Sequence, residues 1–505
     1  MRRILVALVM LWATSALAQY GDAPGLNLTL AEAERRAVDR NPQIAEARLQ
    51  TAAADYTFAE QLAAYTPSFS ASILQRSQTS PSTTQLSGGQ QLVATDTASY
   101  STGVAQALPW GGGRINVDFS GTRAETSNVF STYNPSFSSS VTASLTQPLF
   151  RGLRFDATRA QIAQAGTSRG IADAGLRQQA ARILAAVRRA YWELVYTADA
   201  LTTARRSEDL AQRQLRDNRL RVELGTVAPI DVLESEAEVA SRHQAVTQAE
   251  GAWRAAQVTL KQEIVSDTSD PIWEMTIVPV DRPAGATRTI NVTQALANAL
   301  ANRTDLAVAR HQRQSADTDV RLLAEQRKPS VDLVANYSLN GIGGTQILRQ
   351  SGALGSEIVG TLPGSYLDVL RSVGALDYPT WTVGLNVTLP LGTRAADAAY
   401  ARGQVERRQV DVRIGALELQ VAAQVTRAGE QVRSAEQQIA SAGVARQLAE
   451  KRLEAEEARR AAGLSTTFLV LQAQRDLGTA QTNELRAQLD YRLALVGFDV
   501  AQEAP

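Results

Sequence analysis

The chain has no cysteine, two histidines and three methionines among its 505 residues. Zero cysteine excludes disulfides, thiolate zinc sites, iron–sulfur clusters and thiol catalysis. It also excludes a lipid-anchored mature N-terminus, which needs a cysteine after the signal. With only His243 and His311, histidine catalysis and soft-metal binding have little to work with. Neither sign of charge is in excess: 51 basic side chains stand against 51 acidic ones, so no bulk field suggests nucleic acid as a partner. Beyond the N-terminus no run of about 20 apolar residues occurs, so the mature chain can span a bilayer only as a strand barrel. No nucleophile elbow, phosphate loop, metal cluster or convincing acid pair stands out. Neither enzyme activity nor a cofactor is expected.

What is present begins with MRRILVALVMLWATSALAQY. Arg2 and Arg3 precede an apolar run, and Ala16-Leu17-Ala18 fits a signal cleavage site, with Ala18 as the last residue removed and Gln19 as the mature start. The alternative, an uncleaved anchor, requires a longer apolar run. Residues 1–18 are therefore expected to be a secretory signal.

The remainder repeats itself. LTLAEAERRAVDRNPQIAEARLQ (Leu28–Gln50) resembles INVTQALANALANRTDLAVARHQ (Ile290–Gln312), and Pro67 and Pro329 keep the same spacing. SLTQPLFRG matches NVTLPLG at Pro148 and Pro390, and RVELGTVAPIDVLESE matches RRAAGLSTTFLVLQAQ at Gly225 and Gly463. Four matches in one order argue for an internal duplication. The first repeat covers 19–266, the second 289–505, and a linker at 267–288 joins them.

Each half predicts a first helix of about 38 residues (28–65 and 290–327), a strand, a small-residue loop, a return strand, a very long helix and a helix running back (228–265 and 466–497). The strands fall at about 67–150 and 329–391. In TWTVGLNVTLPLG, Trp381, Val383, Leu385, Val387 and Leu389 alternate with Thr382, Gly384, Asn386 and Thr388, which gives a strand one apolar and one polar face. The first half has extra chain between its prolines. There Tyr100, Thr102, Val104 and Leu108, then WGGGR, then Ile115, Val117 and Phe119 read either as an added hairpin or as a surface loop.

The long helix from about Leu153 to Glu223 would extend on the order of 100 Å, so it must pack sideways on similar helices. Ile183, Val187, Ala190, Leu194, Thr197 and Leu201 step by fours and threes, as do Val421, Val425, Ala428, Val432, Ala435, Ile439 and Ala442. That is coiled-coil spacing. The four to six strands of one chain cannot close a barrel; several chains can.

The signal, the duplicated helix–strand–strand–helix plan, the return-strand prolines in TQPLFRG and TLPLG, and the turn GTVAPIDVL together resemble the TolC-like outer-membrane efflux channels, over essentially the whole mature chain. The resemblance implies a fold that is mainly α with β. Long antiparallel coiled-coil helices form an α-helical barrel in the periplasm, and strands enter a β-barrel shared by a homotrimer among outer-membrane lipid. A periplasmic adaptor protein docks at the helix–helix turns, and an inner-membrane transporter supplies energy, so the chain is a passive exit duct. The extra hairpin would give six strands per chain and a trimeric barrel of about 18 rather than the family's usual 12.

In such channels acidic rings narrow the pore at the tip. Here the first-half turn supplies Asp231 and Glu234, while the aligned second-half residues are Leu469 and Gln472. The constriction is therefore an acidic ring at the former or an apolar one at Leu469, and the ordinary reading of Asp231 is a dipole-favoured charge in a first helical turn. Leu224, Gly225 and Thr226, with Gly463, Leu464 and Ser465, are the adaptor-docking candidates, and the two glycines suit helix C-caps. Pro148 and Pro390 suit strand-to-helix junctions. The other class of reading is a secreted coiled-coil scaffold of the envelope whose strands pack as ordinary sheets. The exported cargo is not readable from the sequence.

Overall fold

The computed structural model describes residues 25–82, 91–225, 228–282, 288–350, 357–389, 391–392 and 394–502. The signal segment with Ala18 and Gln19, Thr226 of the first turn, and Pro390 lie outside the described residues. In chain order the elements are β1 (Gly25–Leu28), α1 (Leu30–Arg40), α2 (Pro42–Leu62), β2 (Ser68–Pro81), β3 (Leu92–Ala107), β4 (Arg114–Thr126), β5 (Tyr133–Pro148), α3 (Ala157–Glu223) and α4 (Ile230–Ile264). The second half follows with β6 (Thr276–Pro279), α5 (Val292–Asn302), α6 (Thr304–Gln326), β7 (Ser330–Arg349), β8 (Ile358–Leu362), α7 (Tyr366–Gly374), β9 (Pro379–Thr388), α8 (Arg394–Ala461) and α9 (Thr467–Gln502).

The single first helix expected in each half is two. Asn41 has extended backbone (φ −65°, ψ 125°) because the ring of Pro42 disfavours a helical residue before it, while Pro42 itself suits the first helical position. The Asn41 side chain restores what the break costs, accepting from the Gln43 N–H at 2.9 Å and donating to the Glu263 carbonyl at 3.0 Å. In the second half Arg303 makes the break without proline (φ −58°, ψ 132°), and its guanidinium binds Asp305 at 2.6 Å and Gln424 at 2.8 Å. Nor does the first helix begin at Leu28. That residue ends β1, and Thr29 caps α1 by accepting from the Glu32 N–H at 3.2 Å.

The chain forms two compact units. The first contains the chain up to Leu49, Ala174–Leu306 and the chain from Leu417. Its helices pack along the expected stripes: Ile183, Val187, Ala190, Leu194, Thr197 and Leu201 are all buried, as are Val421, Val425, Ala428, Val432 and Ala435. These stripes seed two separate apolar cores. One gathers Leu28, Ile44, Val187, Leu194, Leu260 and Ile277; the other gathers Ala299, Leu306, Val425, Val432, Leu495 and Phe498. The linker supplies β6, which pairs in parallel with β1 from Gly25↔Thr276 to Leu28↔Pro279. Asp281 beyond it accepts from the Leu30 N–H at 2.6 Å, and its carboxylate lies 2.9 Å from the buried Tyr191 hydroxyl. Burial pushes the Tyr191 phenol up to about 12.

The second unit contains Gln50–Asp173 and Ala307–Ala416. Its centre is a seven-stranded antiparallel sheet in the order β2-β3-β4-β5-β7-β8, with β9 pairing the first part of β7. The extra chain of the first half is therefore a hairpin built into the sheet: β3 pairs β2 over Ala105–Leu92, and β4 pairs β5 over Arg114–Ala124. The second-half connection, expected to be only a loop, holds β8 and α7. Ser365 and Asp368 make a reciprocal capping box at the start of α7, the arrangement that fixes a helix start.

Candidate functional site: a two-faced sheet and a helical turn end

In the sheet, hydrogen-bonded partners align into rows that cross all six principal strands. One row runs Phe69, Val104, Val117, Ala143, Tyr337, Trp381, and the next on the same face runs Ala71, Thr102, Phe119, Val141, Leu339, Pro379. Between them, on the opposite face, lies Ser70, Gly103, Asp118, Thr142, Ser338, Thr380. Strict alternation along every strand thus sums to one apolar and one hydroxyl- and amide-rich face. The polar face is laced by cross-strand hydroxyl bonds: Ser72 with Ser101 at 2.8 Å, Ser120 with Ser140 at 2.8 Å, and Thr142 with Ser338 at 2.5 Å. Much of the apolar face is exposed. Ile73 is 89% exposed and Trp381 72%, with Phe69, Val383, Leu385 and Val387 also exposed.

The apolar band has two ends. Its helix-proximal rim carries Tyr65, Trp110 and Phe150, the last two exposed. There the β3–β4 turn is tied to the start of α3 by Arg159, which donates to the Pro109 carbonyl at 3.3 Å. Pro148 ends β5 opposite Asp332 at a non-hydrogen-bonded pair, the flanking bond running from the Leu149 N–H to the Val331 carbonyl at 2.7 Å, so its missing N–H costs no ladder bond. At the far rim α7 lies on the apolar face over a strip of small residues. A Cβ on Gly341 would stand 2.6 Å from the Val369 carbonyl oxygen and 2.9 Å from a Val373 methyl, so only glycine admits the helix. Val369 and Val373 are buried there, and the Tyr366 ring packs edge-on against Tyr100 and Phe137 with centroids 5.9 Å apart. Beyond this rim the same face turns polar at Gln75, Arg123, Asp96 and Glu125. From Val331 to Gly341 the band is roughly 25 Å tall for strands tilted about 40°, the height of an outer-membrane apolar belt.

The second part of the site is the turn end of the first unit. Gly225 (φ +67°) and Gly463 (φ +74°) are left-handed, and the bonds show why. The Gly463 N–H reaches the Arg460 carbonyl at 3.0 Å and the Leu464 N–H the Arg459 carbonyl at 2.8 Å, a Schellman stop. The Gly225 N–H makes the matching bond to Val222 at 3.0 Å. Both stops push a leucine outward: Leu224 is 77% and Leu464 79% exposed. Ser465 is partly buried and donates to Glu456 at 2.7 Å.

Behind the turns, polar side chains latch the helices. Asn218, fully buried on α3, donates to Ser235 of α4 at 2.7 Å and accepts from Arg460 of α8 at 2.9 Å. Burial, and then the neighbouring Arg221, hold the Arg460 guanidinium below the ordinary arginine value, against the pull of Asp217 and Asp231. Glu238 of α4 is 3% exposed and is gripped by Arg242 at 2.7 Å and by Arg475 of α9 at 2.7 Å. Burial alone would raise its carboxyl, but the hydrogen bonds and charges of the two arginines outweigh it, and the net shift is downward. Arg219, Arg221 and Arg459 pair with Glu236, Asp217 and Glu456.

Of the constriction candidates, Asp231 lies in the first turn of α4, within electrostatic reach of Arg460, and is partly buried, as is Glu234. Leu469 and Gln472 stand on the exposed side of α9, beside the buried Val470 and Leu471. Sequence reasoning missed the Asn218 and Glu238 latches. Their only local sign is that Asn218 and Ser235 flank the turn; Arg475 is separated from Glu238 by most of the second half.

Residues 34–264 and 295–500 match the family model described as Outer membrane efflux protein. No curated protein matches the chain. Solved structures share its fold. The CmeC outer membrane channel of Campylobacter jejuni aligns at TM-score 0.67 and 12% identity, covering 94% of this chain and 85% of that one. VceC of Vibrio cholerae aligns at 0.63 and 15%, covering 94% and 95%, and the open-state MtrE outer membrane channel of Neisseria gonorrhoeae at 0.61 and 16%, covering 94% and 88%.

Proposed function

Because the chain belongs to the outer membrane efflux protein family, we propose that it works as the outer-membrane exit duct of an efflux or type I secretion system. Three copies join their sheets into one wall, with the apolar face on lipid and the polar face on the pore. The paired long helices line a tunnel through the periplasm. The turns at Leu224, Gly225, Gly463, Leu464 and Ser465, with the sequence candidate Thr226, receive a periplasmic adaptor, and an inner-membrane transporter supplies the energy.

The observation that carries this reading is the uncovered apolar band of the sheet, Phe69 and Ile73 at one side and Trp381 to Val387 at the other. A water-soluble scaffold would have to hide that surface against another layer; hydrocarbon satisfies it directly. Asp231 and Glu234 are assigned to the constriction, with Leu469 and Gln472 as the alternative ring.

Planar-bilayer conductance tests the whole reading, using mature wild type beside Asp231→Ala. Discrete steps support the duct. A change of several-fold in cation preference in the variant, as expected for a ring of carboxylates, supports Asp231 as the constriction. Steps indifferent to the substitution move the constriction toward Leu469. Failure of the folded protein to insert into bilayers overturns the duct and favours the scaffold.

A further inference from the structure

The sheet has two unpaired edges, and their geometry fits each other. Among the described residues no strand pairs the outer side of β2, or the side of β9 turned away from β7. Within an apolar bilayer a row of open N–H and C=O groups is not sustainable, so each edge needs a partner. β2 runs away from the helix-proximal rim and β9 runs back toward it, because six principal strands alternate in direction. The β2 edge of one copy therefore meets the β9 edge of the next in antiparallel sense. The faces agree as well: Phe69, Ala71 and Ile73 continue the apolar side of Trp381, Val383 and Leu385, and Ser68, Ser70 and Ser72 continue the polar side of Thr380, Thr382 and Asn386.

The stagger of the sheet also fits closure. Following one row across the sheet, Ser68, the first residue of β2, aligns with Asn336, six residues beyond Ser330, where β7 begins opposite the end of β9. One strand further the row reaches Thr382, six residues short of Thr388 where β9 ends. Six residues of rise over the five strand widths from β2 to β9 is a tilt of about 40°, inside the range that closed barrels require. The β3–β4 hairpin takes part in this stagger and in both faces; its rows pass through Val104 and Val117 without a break.

We propose that three copies close an eighteen-stranded barrel edge to edge, β2 on β9, with the β3–β4 hairpin of every copy a full member of the wall. This rests on the trimeric duct reading and deepens it. At this tilt eighteen strands enclose a barrel about 36 Å across between backbones, against about 24 Å for the twelve that would remain without the hairpin. The outer mouth is thus gauged for bulkier cargo than a twelve-stranded wall admits. One self-closed copy of six strands is excluded, since an interior that narrow has no room for the polar face.

The cysteine-free chain makes the test direct, because any introduced cysteine is the only thiol. Val104→Cys and Val117→Cys on the apolar face of the hairpin, Ser101→Cys and Ser120→Cys on its polar face, and Val383→Cys with Thr382→Cys on β9 are reconstituted singly into phospholipid vesicles. Each is then reacted with a membrane-impermeant maleimide. The expected result is labelling at least about tenfold slower at positions 104, 117 and 383 than at 101, 120 and 382, as alternation in a lipid-bounded wall demands. If 383 is slow while 104 and 117 react as fast as 101 and 120, the hairpin lies outside the wall; the inference is overturned and the duct stands. If 383 is also fast, there is no lipid-bounded wall and the duct reading falls with it. For the seam, Ser70→Cys combined in turn with Thr382→Cys, Gly384→Cys and Asn386→Cys should give a disulfide-linked trimer in at least one pairing. Trimers that never cross-link in any of the three overturn the edge-to-edge closure.

Discussion

Glu238 shows how much one carboxylate can hold. It is buried between its own helix and α9, and its two arginine partners keep it ionised. Its lowered carboxyl fixes the sign of the pH dependence. A carboxylate whose folded pKa lies below its unfolded value contributes stability that is present above the ordinary value of 4.5 and disappears as the pH falls through the lower, folded value. Glu238→Gln should therefore cost about 1–2 kcal/mol at neutral pH, less than for a fully buried pair because Arg475 is half exposed. The variant should also lack the acid-induced part of the loss. Urea titrations at pH 7 and at pH 4 check both. None of this is legible in the sequence, where Glu238 sits among many Glu and Arg residues on a helical face. Only the fold brings Arg475 to it.

At the scale of elements, legibility depended on period and punctuation. The coiled-coil stripes and the strand alternation were readable because burial repeats at fixed steps; the α3 stripe is buried throughout and the α8 stripe from Val421 to Ala435, while Ile439 and Ala442 are only partly buried. The break at Asn41 was written in Pro42, yet the two helices read as one because apolar residues continue across it. The break at Arg303 has no such mark and depends on Asp305 and Gln424. α7 was hidden by the Gly- and Ser-rich residues around it, although Tyr366, Val369 and Val373 carry helical spacing. The turn glycines were legible and have a definite cost. Nothing stands within 4 Å of a Cβ added at Gly463, so its φ of +74° alone sets the penalty. Gly463→Ala should destabilise the turn by about 1 kcal/mol, Gly463→Asn by less, and thermal unfolding distinguishes them.

For the whole molecule, the two faces of the sheet make neighbouring residues unequal. Val383 and Thr382 are adjacent on β9 and point to opposite sides. Val383→Arg should cost roughly 2–4 kcal/mol in the bilayer and impair assembly, whereas Thr382→Arg should insert normally and alter ion selectivity. Vesicle-insertion yield and single-channel recordings check the pair. The membership of the chain in the efflux family was legible because the duplicated order of weak motifs spans nearly its full length. The depth of the apolar band was not, because it depends on how rows align across strands that lie far apart in sequence.

The two apolar cores of the first unit have a consequence for the order in which the chain can fold. The first is complete once Ile277 is available, whereas the second draws on Ala295 and cannot finish before Phe498. A chain that emerges N-terminus first can thus secure one core while the other is still arriving. The parallel β1–β6 pair is a non-local contact of that first half and cannot form before Thr276 is available. Two separate cores therefore divide folding of the first unit into two stages, and the first core has all its residues before β7 and α9 exist.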